Sequence, residues 1–320
     1  MNICKDLPNA LFSEIFQFLP ASQVAGACSL VCRLWRDLAD DAPIWRDMCK
    51  EAGLSETDCL RCLFGWKGLF GLVFGQNMVA SPCFESVPHM EMEAMKHQRL
   101  GAWEPKHRIL LNRISSLDDD HEDSHTYSFW AVEGGTVFQR GGGDGVVREC
   151  PPVGCPPCPA FPDRPVIATS FEWGKVQQCI SFPTFSEMFL DSSPPLLVSV
   201  WYAGRRDAES QIKLQVLFRD KFKHCISFWD SGEIPAKAGE WQELKAIVRG
   251  YPAGIQSIIL KVGGMSLSSH KMAHGFFGAK FTGLKLKFLP PFEVRHFDES
   301  TVEHGKATLC SPKQCTLPFD

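Results

Sequence analysis

Two cysteine pairs carry the most conspicuous chemical spacing in this 320-residue chain. Cys155-Pro156-Pro157-Cys158, with Cys150 upstream, has the two-residue gap of a redox or zinc CxxC. A redox pair sets its first thiol at a helix N-terminus, where the dipole stabilises the thiolate. Pro151, Pro152, Pro156 and Pro157 favour an extended loop instead. Cys59 and Cys62 form a second CxxC, but no further pair lies near them in sequence and structural zinc wants four ligands. His121 and His125 stand among acids without the glutamate of a zinc-protease helix, so any metal they catch is adventitious. Gly141-Gly142-Gly143-Asp144-Gly145 lacks the Lys-Ser/Thr of a phosphate loop and reads as a turn. No Ser/His/Asp order or paired carboxylates can be set in one cleft. The sequence therefore predicts no catalytic residue, no metal site and no cofactor.

The elements that would position a binding surface fall into two textures. Over 1–51, short helices are expected. One opens near Pro8 and carries Leu11, Ile15, Phe18 and Leu19 on one side until Pro20 ends it. Val24, Cys28, Val31, Trp35 and Leu38 then recur at steps of four and three, the spacing of one helix face. Pro43, Ile44, Trp45 and Met48 start a third helix. Residues 52–76 read as a helical or Gly-interrupted linker, and 84–128 as an irregular insertion with the acidic run Asp118, Asp119, Asp120, Glu122 and Asp123. From about 129 the chain turns to short Val/Ile/Phe/Trp runs punctuated by Gly and Pro. Lys213-Leu214-Gln215-Val216-Leu217-Phe218 and Leu284-Lys285-Leu286-Lys287-Phe288 alternate with the two-residue period of half-buried strands. Such strands without intervening helices predict a β-sandwich, followed by a loosely held tail over 291–320.

The formal charge of −4 is spread without a basic block, which removes the electrostatic drive for nucleic-acid binding. The most apolar stretch, Leu63 to Val79, is broken by Gly65, Lys67, Gly68, Gly71, Gly75 and Gln76, so no membrane span is expected. No charged start leads into an apolar leader segment, and none of the four asparagines sits in an N-x-[ST] acceptor. Fourteen cysteines then read as reduced thiols in a cytoplasmic chain, many of them small core residues.

The first segment has more apolar surface than three short helices of about 45 residues bury alone. Its pattern, Leu7-Pro8, Ile15, Leu19-Pro20, Val24, Val31-Cys32-Arg33-x-Trp35-Arg36 and Trp45, resembles the F-box. The resemblance implies a bundle that docks on an SKP-family adaptor linked to a cullin. By motif position, Leu7, Pro8, Leu11, Ile15, Leu19, Val24, Val31 and Cys32 build the adaptor contact and the core beneath it. Val24 departs from the commoner Leu. Trp35 and Trp45 read as core, since a bulky indole usually fills the interior.

Further along, Ala168-Thr169-Ser170-Phe171-Glu172-Trp173, Val200 to Asp207, and Gly275-Phe276-Phe277-Gly278-Ala279-Lys280 carry a second likeness. With Asn77 to Cys83, Tyr251-Pro252-Ala253-Gly254 and Gly263-Gly264, they resemble the F-box-associated domain of sugar-binding F-box proteins over 77–290. The two resemblances imply an α+β multidomain chain, with a small all-α bundle followed by a ten-stranded, galactose-binding-like β-sandwich. They also imply a non-catalytic receptor that selects a glycoprotein or other protein substrate for ubiquitination. Phe171 matches the family's aromatic sugar contact, and Asp207 its acidic loop. Met272, Ala273 and His274 stand where sugar-binding members place an aromatic pair and a Lys, which leaves a protein-binding sandwich without a sugar site as the alternative. His270, Lys271 and His274 offer polar or pH-dependent contacts in its place, or are exposed loop residues. On an alternating strand Phe171 and Trp173 would share a face, serving either core or ligand.

Overall fold

The computed structural model describes residues 8–85, 131–133, 145–183, 185–268, 276–294, 297 and 303–310. Helix α1 (Asn9–Gln17) starts after Pro8, whose ψ of 143° is extended. It buries Phe12 and Phe16, not the Leu11, Ile15 and Phe18 stripe. Both phenylalanines meet the Trp35 ring edge to face, at 5.7 and 5.3 Å. The helix expected to run from Val24 to Leu38 is broken. Ala21–Gln23, a π turn over Val24–Cys28 and Ser29–Val31 make up α2, Cys32 is extended (φ −160°, ψ 173°), and α3 (Arg33–Ala39) follows. Arg36 Nε donates to the Ser29 carbonyl at 3.1 Å, satisfying one of the acceptors that the break leaves bare. Helix α4 (Ala42–Glu51) buries Ile44, Trp45, Met48 and Cys49. The Trp45 indole N–H donates to the Ala39 carbonyl at 2.7 Å, so this ring is core with its polar edge matched.

Residues 52–76 are more than a connector. Ser55 and Asp58 form a reciprocal capping box that opens α5 (Glu56–Arg61). Helix α6 (Gly65–Phe74) buries Leu69, Phe70, Val73 and Phe74. Phe70 packs on Trp45 of α4 at 5.4 Å and stacks on Phe292 at 6.4 Å. Phe74 meets Phe189 of α7 (Glu187–Asp191) at 5.9 Å. The Ala21 amide donates to Glu293 Oε1 at 2.9 Å. Helices and sandwich thus share one continuous apolar core.

Two sheets form the sandwich. The first runs β1 (Ala131–Glu133), β4 (Gly174–Ser181), β10 (Ser257–Ser266), β6 (Ser210–Arg219), β7 (Cys225–Asp230) and β13 (Thr308–Leu309), with β8 (Ile234–Ala236) beside β6. The second runs β12 (Glu303–Lys306), β9 (Gln242–Arg249), β5 (Leu196–Ala203), β11 (Lys280–Phe288), β3 (Val166–Thr169) and β2 (Val146–Glu149). The expected alternation holds: Leu214, Val216 and Phe218 on β6 and Leu286 and Phe288 on β11 are fully buried. The sheets hold seven and six strands among the described residues, against ten expected, because short edge strands and the tail add to them. The described residues of the tail are held in place. Phe292 and Val294 are buried, β12 pairs with β9 in parallel, and β13 pairs antiparallel with β7.

Sandwich entry is fixed by side-chain amides. Asn77 Nδ2 donates to the Leu284 carbonyl, while its Oδ1 accepts from the Leu286 and Val79 amides at 2.9 and 3.2 Å. Fully buried Gln178 brackets Ala80, accepting from its N–H and donating to its carbonyl. Leu7 and residues 86–128 of the expected insertion lie outside the described residues.

Candidate functional site

Two regions among the described residues contain the side chains named from sequence. On the helical module, Leu11 and Ile15 of α1 and Phe18 at its C-cap are 42, 45 and 71% exposed, and Leu30 and Val31 at the end of α2 are 78 and 59% exposed. Phe12 and Phe16 already fill the inner side of α1, so this outer set has no interior left to enter. The Leu11-Ile15-Phe18 spacing of four and three keeps the side chains on one face of the helix. Among the described residues of α1, neither the first turn carries an acid nor the last turn a base.

The second region is the sandwich end where loops converge. Main-chain bonds tie them together. The Ser266 amide donates to Ser170 O at 2.9 Å, Leu267 to Glu209 O at 2.7 Å, Gly278 to Thr169 O at 2.8 Å, and Arg206 to Gly154 O at 3.0 Å. Gly278 is required here, since a Cβ would lie 2.2 Å from Thr169 Oγ1. Arg205 Nε and an Nη donate to the two oxygens of Asp207 at 2.8 Å each, and its guanidinium lies 4.1 Å from the Phe277 ring centre. That bidentate contact holds the Asp207 carboxyl below its ordinary value and Arg205 above its own. Gly154, Cys155, Pro156, Arg206 and Asp207 line an open depression of about 390 Å³.

Beneath it, Lys280 is fully buried and its Nζ meets Glu149 Oε2 at 2.5 Å. Burial pulls the Lys280 value down, and Glu149 partly offsets this. Cys155 and Cys158 are buried too. Burial pushes the Cys155 thiol up to about 11 and raises Cys158, which disfavours the thiolate that redox or zinc chemistry needs. Cys49 is pushed up to about 12, first by burial and then by Cys59 and Cys62. Among the described residues no three His, Cys, Asp or Glu side chains are placed to hold a metal. No described helix is long and apolar enough to cross a membrane.

Residues 4–51 match the F-box-like family model. The N-terminal region is an F-box-like domain. Relatives align along most of the chain. F-box only protein 2 of Bos taurus is 27% identical, covering 87% of this chain and 81% of that protein. F-box only protein 6 of Mus musculus is 25% identical over 96% and 92% of the two chains. F-box only protein 44 of Homo sapiens is 25% identical over 89% and 96%. Among solved structures, the CBM22-1 xylan-binding domain from Paenibacillus barcinonensis Xyn10C superposes at a TM-score of 0.28, with 10% identity over 50% of this chain and 85% of that chain.

Within the F-box, the structure divides the residues named from sequence. Pro8, Leu11, Ile15 and Val31 are exposed, and Leu19 and Cys32 are half-buried. Val24 is fully buried and belongs to the core beneath the face rather than to the face itself. Phe18 and Leu30 join the exposed set. Phe18 was legible from the helical spacing, whereas Leu30 shows only once the break at Cys32 fixes where α2 ends. At the sandwich end, Phe171 is 41% exposed and Asp207 lies in the neighbouring loop. The expectation that Phe171 and Trp173 share a strand face fails: β3 stops at Thr169 and β4 starts at Gly174, so both lie in the bend between. Met272, Ala273 and His274 lie outside the described residues.

Proposed function

We propose that this chain is the substrate-receptor subunit of an SCF-type cullin ubiquitin ligase. The F-box docks on an SKP-family adaptor through Leu11, Ile15, Phe18, Leu30 and Val31, with the exposed Pro8 at the start of the same helix. The sandwich end holds the substrate. One observation supports this most: five large apolar side chains stay in water on one module although its inner face is already filled. Burying such a side chain fully contributes about 1.5–3 kcal/mol, enough for a few of them to carry a stable complex. The chain itself does no chemistry in this reading. It raises the local concentration of substrate at the ligase, working by proximity in the cytoplasm.

For the substrate, the favoured reading is a glycoprotein. Phe171 presents an aromatic surface for the C–H face of a pyranose, and Asp207 keeps lone pairs for its hydroxyls. A second reading, a protein partner without sugar, draws on Arg205, which occupies both Asp207 oxygens and covers one face of Phe277. Purification of the full chain with the adaptor, followed by a glycan array, tests both halves. Binding of high-mannose glycans that Phe171→Ala reduces at least tenfold supports the first reading. Silence on the array with retained protein partners supports the second, and no adaptor binding rejects the receptor role altogether.

A further inference from the structure

The tail makes a contact that substrate selection does not use. After β12 lines the β9 edge of one sheet, the chain crosses to the β7 edge of the other within two residues. Ala307 at the crossing is buried, and its amide donates to Arg249 O at 2.9 Å. On the far side the Cys310 amide donates to Ile226 O at 3.1 Å, and Ser227 Oγ donates to Thr308 O at 2.9 Å. These bonds hold Cys310 Sγ 3.2 Å from Cys225 Sγ, although the residues are 85 apart in sequence. Both are thiols in this structure, half-buried rather than sealed. Sulfurs already near van der Waals contact, on main chains fixed by strand pairing, need little motion to reach the roughly 2.05 Å of a bond.

We propose that Cys225 and Cys310 are an oxidation site: a thiol pair that closes to a disulfide and fastens the tail strap across the sandwich edge. With a small disulfide oxidant such as oxidised glutathione, one cysteine thiolate attacks a glutathione sulfur, and one reduced glutathione leaves. The second cysteine then attacks the mixed disulfide and expels the other reduced glutathione. Two protein thiols thereby give up two electrons and two protons, and one oxidised glutathione becomes two reduced ones. The site differs in kind from the CxxC pairs. Cys155 and Cys158 lie in a buried loop where the thiolate is disfavoured, while Cys225 and Cys310 bring together two segments distant in sequence that no disulfide joins among the described residues. The pair lies at the far end of β6 from the substrate loops, beside the 219–225 turn, so closure fastens the strap without covering the depression at Asp207. The inference stands independently of the receptor reading.

The test uses the full chain, incubated with oxidised glutathione, alkylated without reduction and digested with trypsin. A linked species joining 224–237 to 307–313 is expected as the main disulfide product, disappearing on reduction with a mass gain of two hydrogens. Wild type should also gain several degrees in Tm on oxidation, and a Cys310→Ser variant should gain none. If the thiols instead end as separate glutathione adducts, or if links among Cys59, Cys62, Cys155 and Cys158 dominate with 225 and 310 unlinked, the proposal is overturned.

Discussion

Replacing Glu149 by Gln should cost far more stability than replacing its partner Lys280 by Met. Lys280 is fully buried, and the Glu149 carboxylate at 2.5 Å is the charge that makes its burial tolerable. Removing the carboxylate strands an ammonium inside the sandwich, and breaking a buried pair from one side typically costs about 3–5 kcal/mol. For a folded unit of this size, each kcal/mol moves Tm by about 2–4 °C, so Glu149→Gln should melt roughly 6–20 °C lower. Lys280→Met removes the buried charge itself. Glu149 keeps its bond from the Val153 amide at 2.8 Å and its side chain is 12% exposed, so the carboxylate left behind stays satisfied. The double variant should lie within about 1 kcal/mol of wild type, and Lys280→Met between it and Glu149→Gln. The pH dependence carries the same sign. With Glu149 gone, the Lys280 value falls further below 10.5, and the folded state holds fewer protons than the unfolded one. Stability of Glu149→Gln should then rise relative to wild type as pH climbs towards 10.5. Urea denaturation of the three variants from pH 6 to 10 measures both effects. Equal, small losses for Glu149→Gln and Lys280→Met would refute the buried-pair reasoning.

The buried thiols give an alkaline signature of opposite sign. Cys49 and Cys155 are raised from 9.0 to about 12 and about 11, so the stability they contribute is complete below pH 9 and is lost as pH rises through those values. Above pH 9 each thiol should cost up to about 1.4 kcal/mol per pH unit, and Cys49→Ala should flatten the decline seen in wild-type denaturation. Deleting residues 303–320 removes the β12–β9 and β13–β7 pairings together with the bonds at Ala307 N, Cys310 N and Ser227 Oγ. At about 0.5–1.5 kcal/mol each, the last three alone lower stability by roughly 1.5–4.5 kcal/mol, so the loss should be at least that, and light scattering should show self-association through the bared β7 and β9 edges. Phe16→Ala should lose about 3–5 kcal/mol in a melt, because its fully buried ring packs on Trp35.

Much of the architecture was legible because side-chain period follows backbone geometry. Leu214, Val216 and Phe218 alternate as half-buried strands do, and they are buried. Strand β4 was harder to read because inward Gln178 is polar: its amide is matched to the Ala80 backbone, a partner 98 residues away. The tail strands pair through main chain and charged or small residues, so composition marked them as loose. In α1 both sides are apolar, and spacing alone does not say whether Leu11-Ile15-Phe18 or Phe12-Phe16 turns inward. Only packing against Trp35 decides it. The linker looked like a connector because its glycines interrupt the pattern, yet Leu69, Phe70, Val73 and Phe74 join the two cores. At the sandwich end where the loops converge, Phe171 and Asp207 were named by motif position. The Arg205 clamp on Asp207 and Phe277, and the Glu149–Lys280 floor, depend on contacts across the fold that no local pattern encodes.

The receptor assignment depends most on the outer face of the F-box, which makes the affinity of Ile15→Glu with Val31→Glu for an SKP-family adaptor the sharpest measurement. Both side chains are about half exposed in the free chain, so the melt should shift by no more than about 0.5 kcal/mol per substitution. Calorimetric titration should show adaptor affinity falling at least a hundredfold, since two buried apolar contacts become two desolvated carboxylates. Wild-type affinity retained in a folded double variant would contradict the docking face and the ligase role built on it.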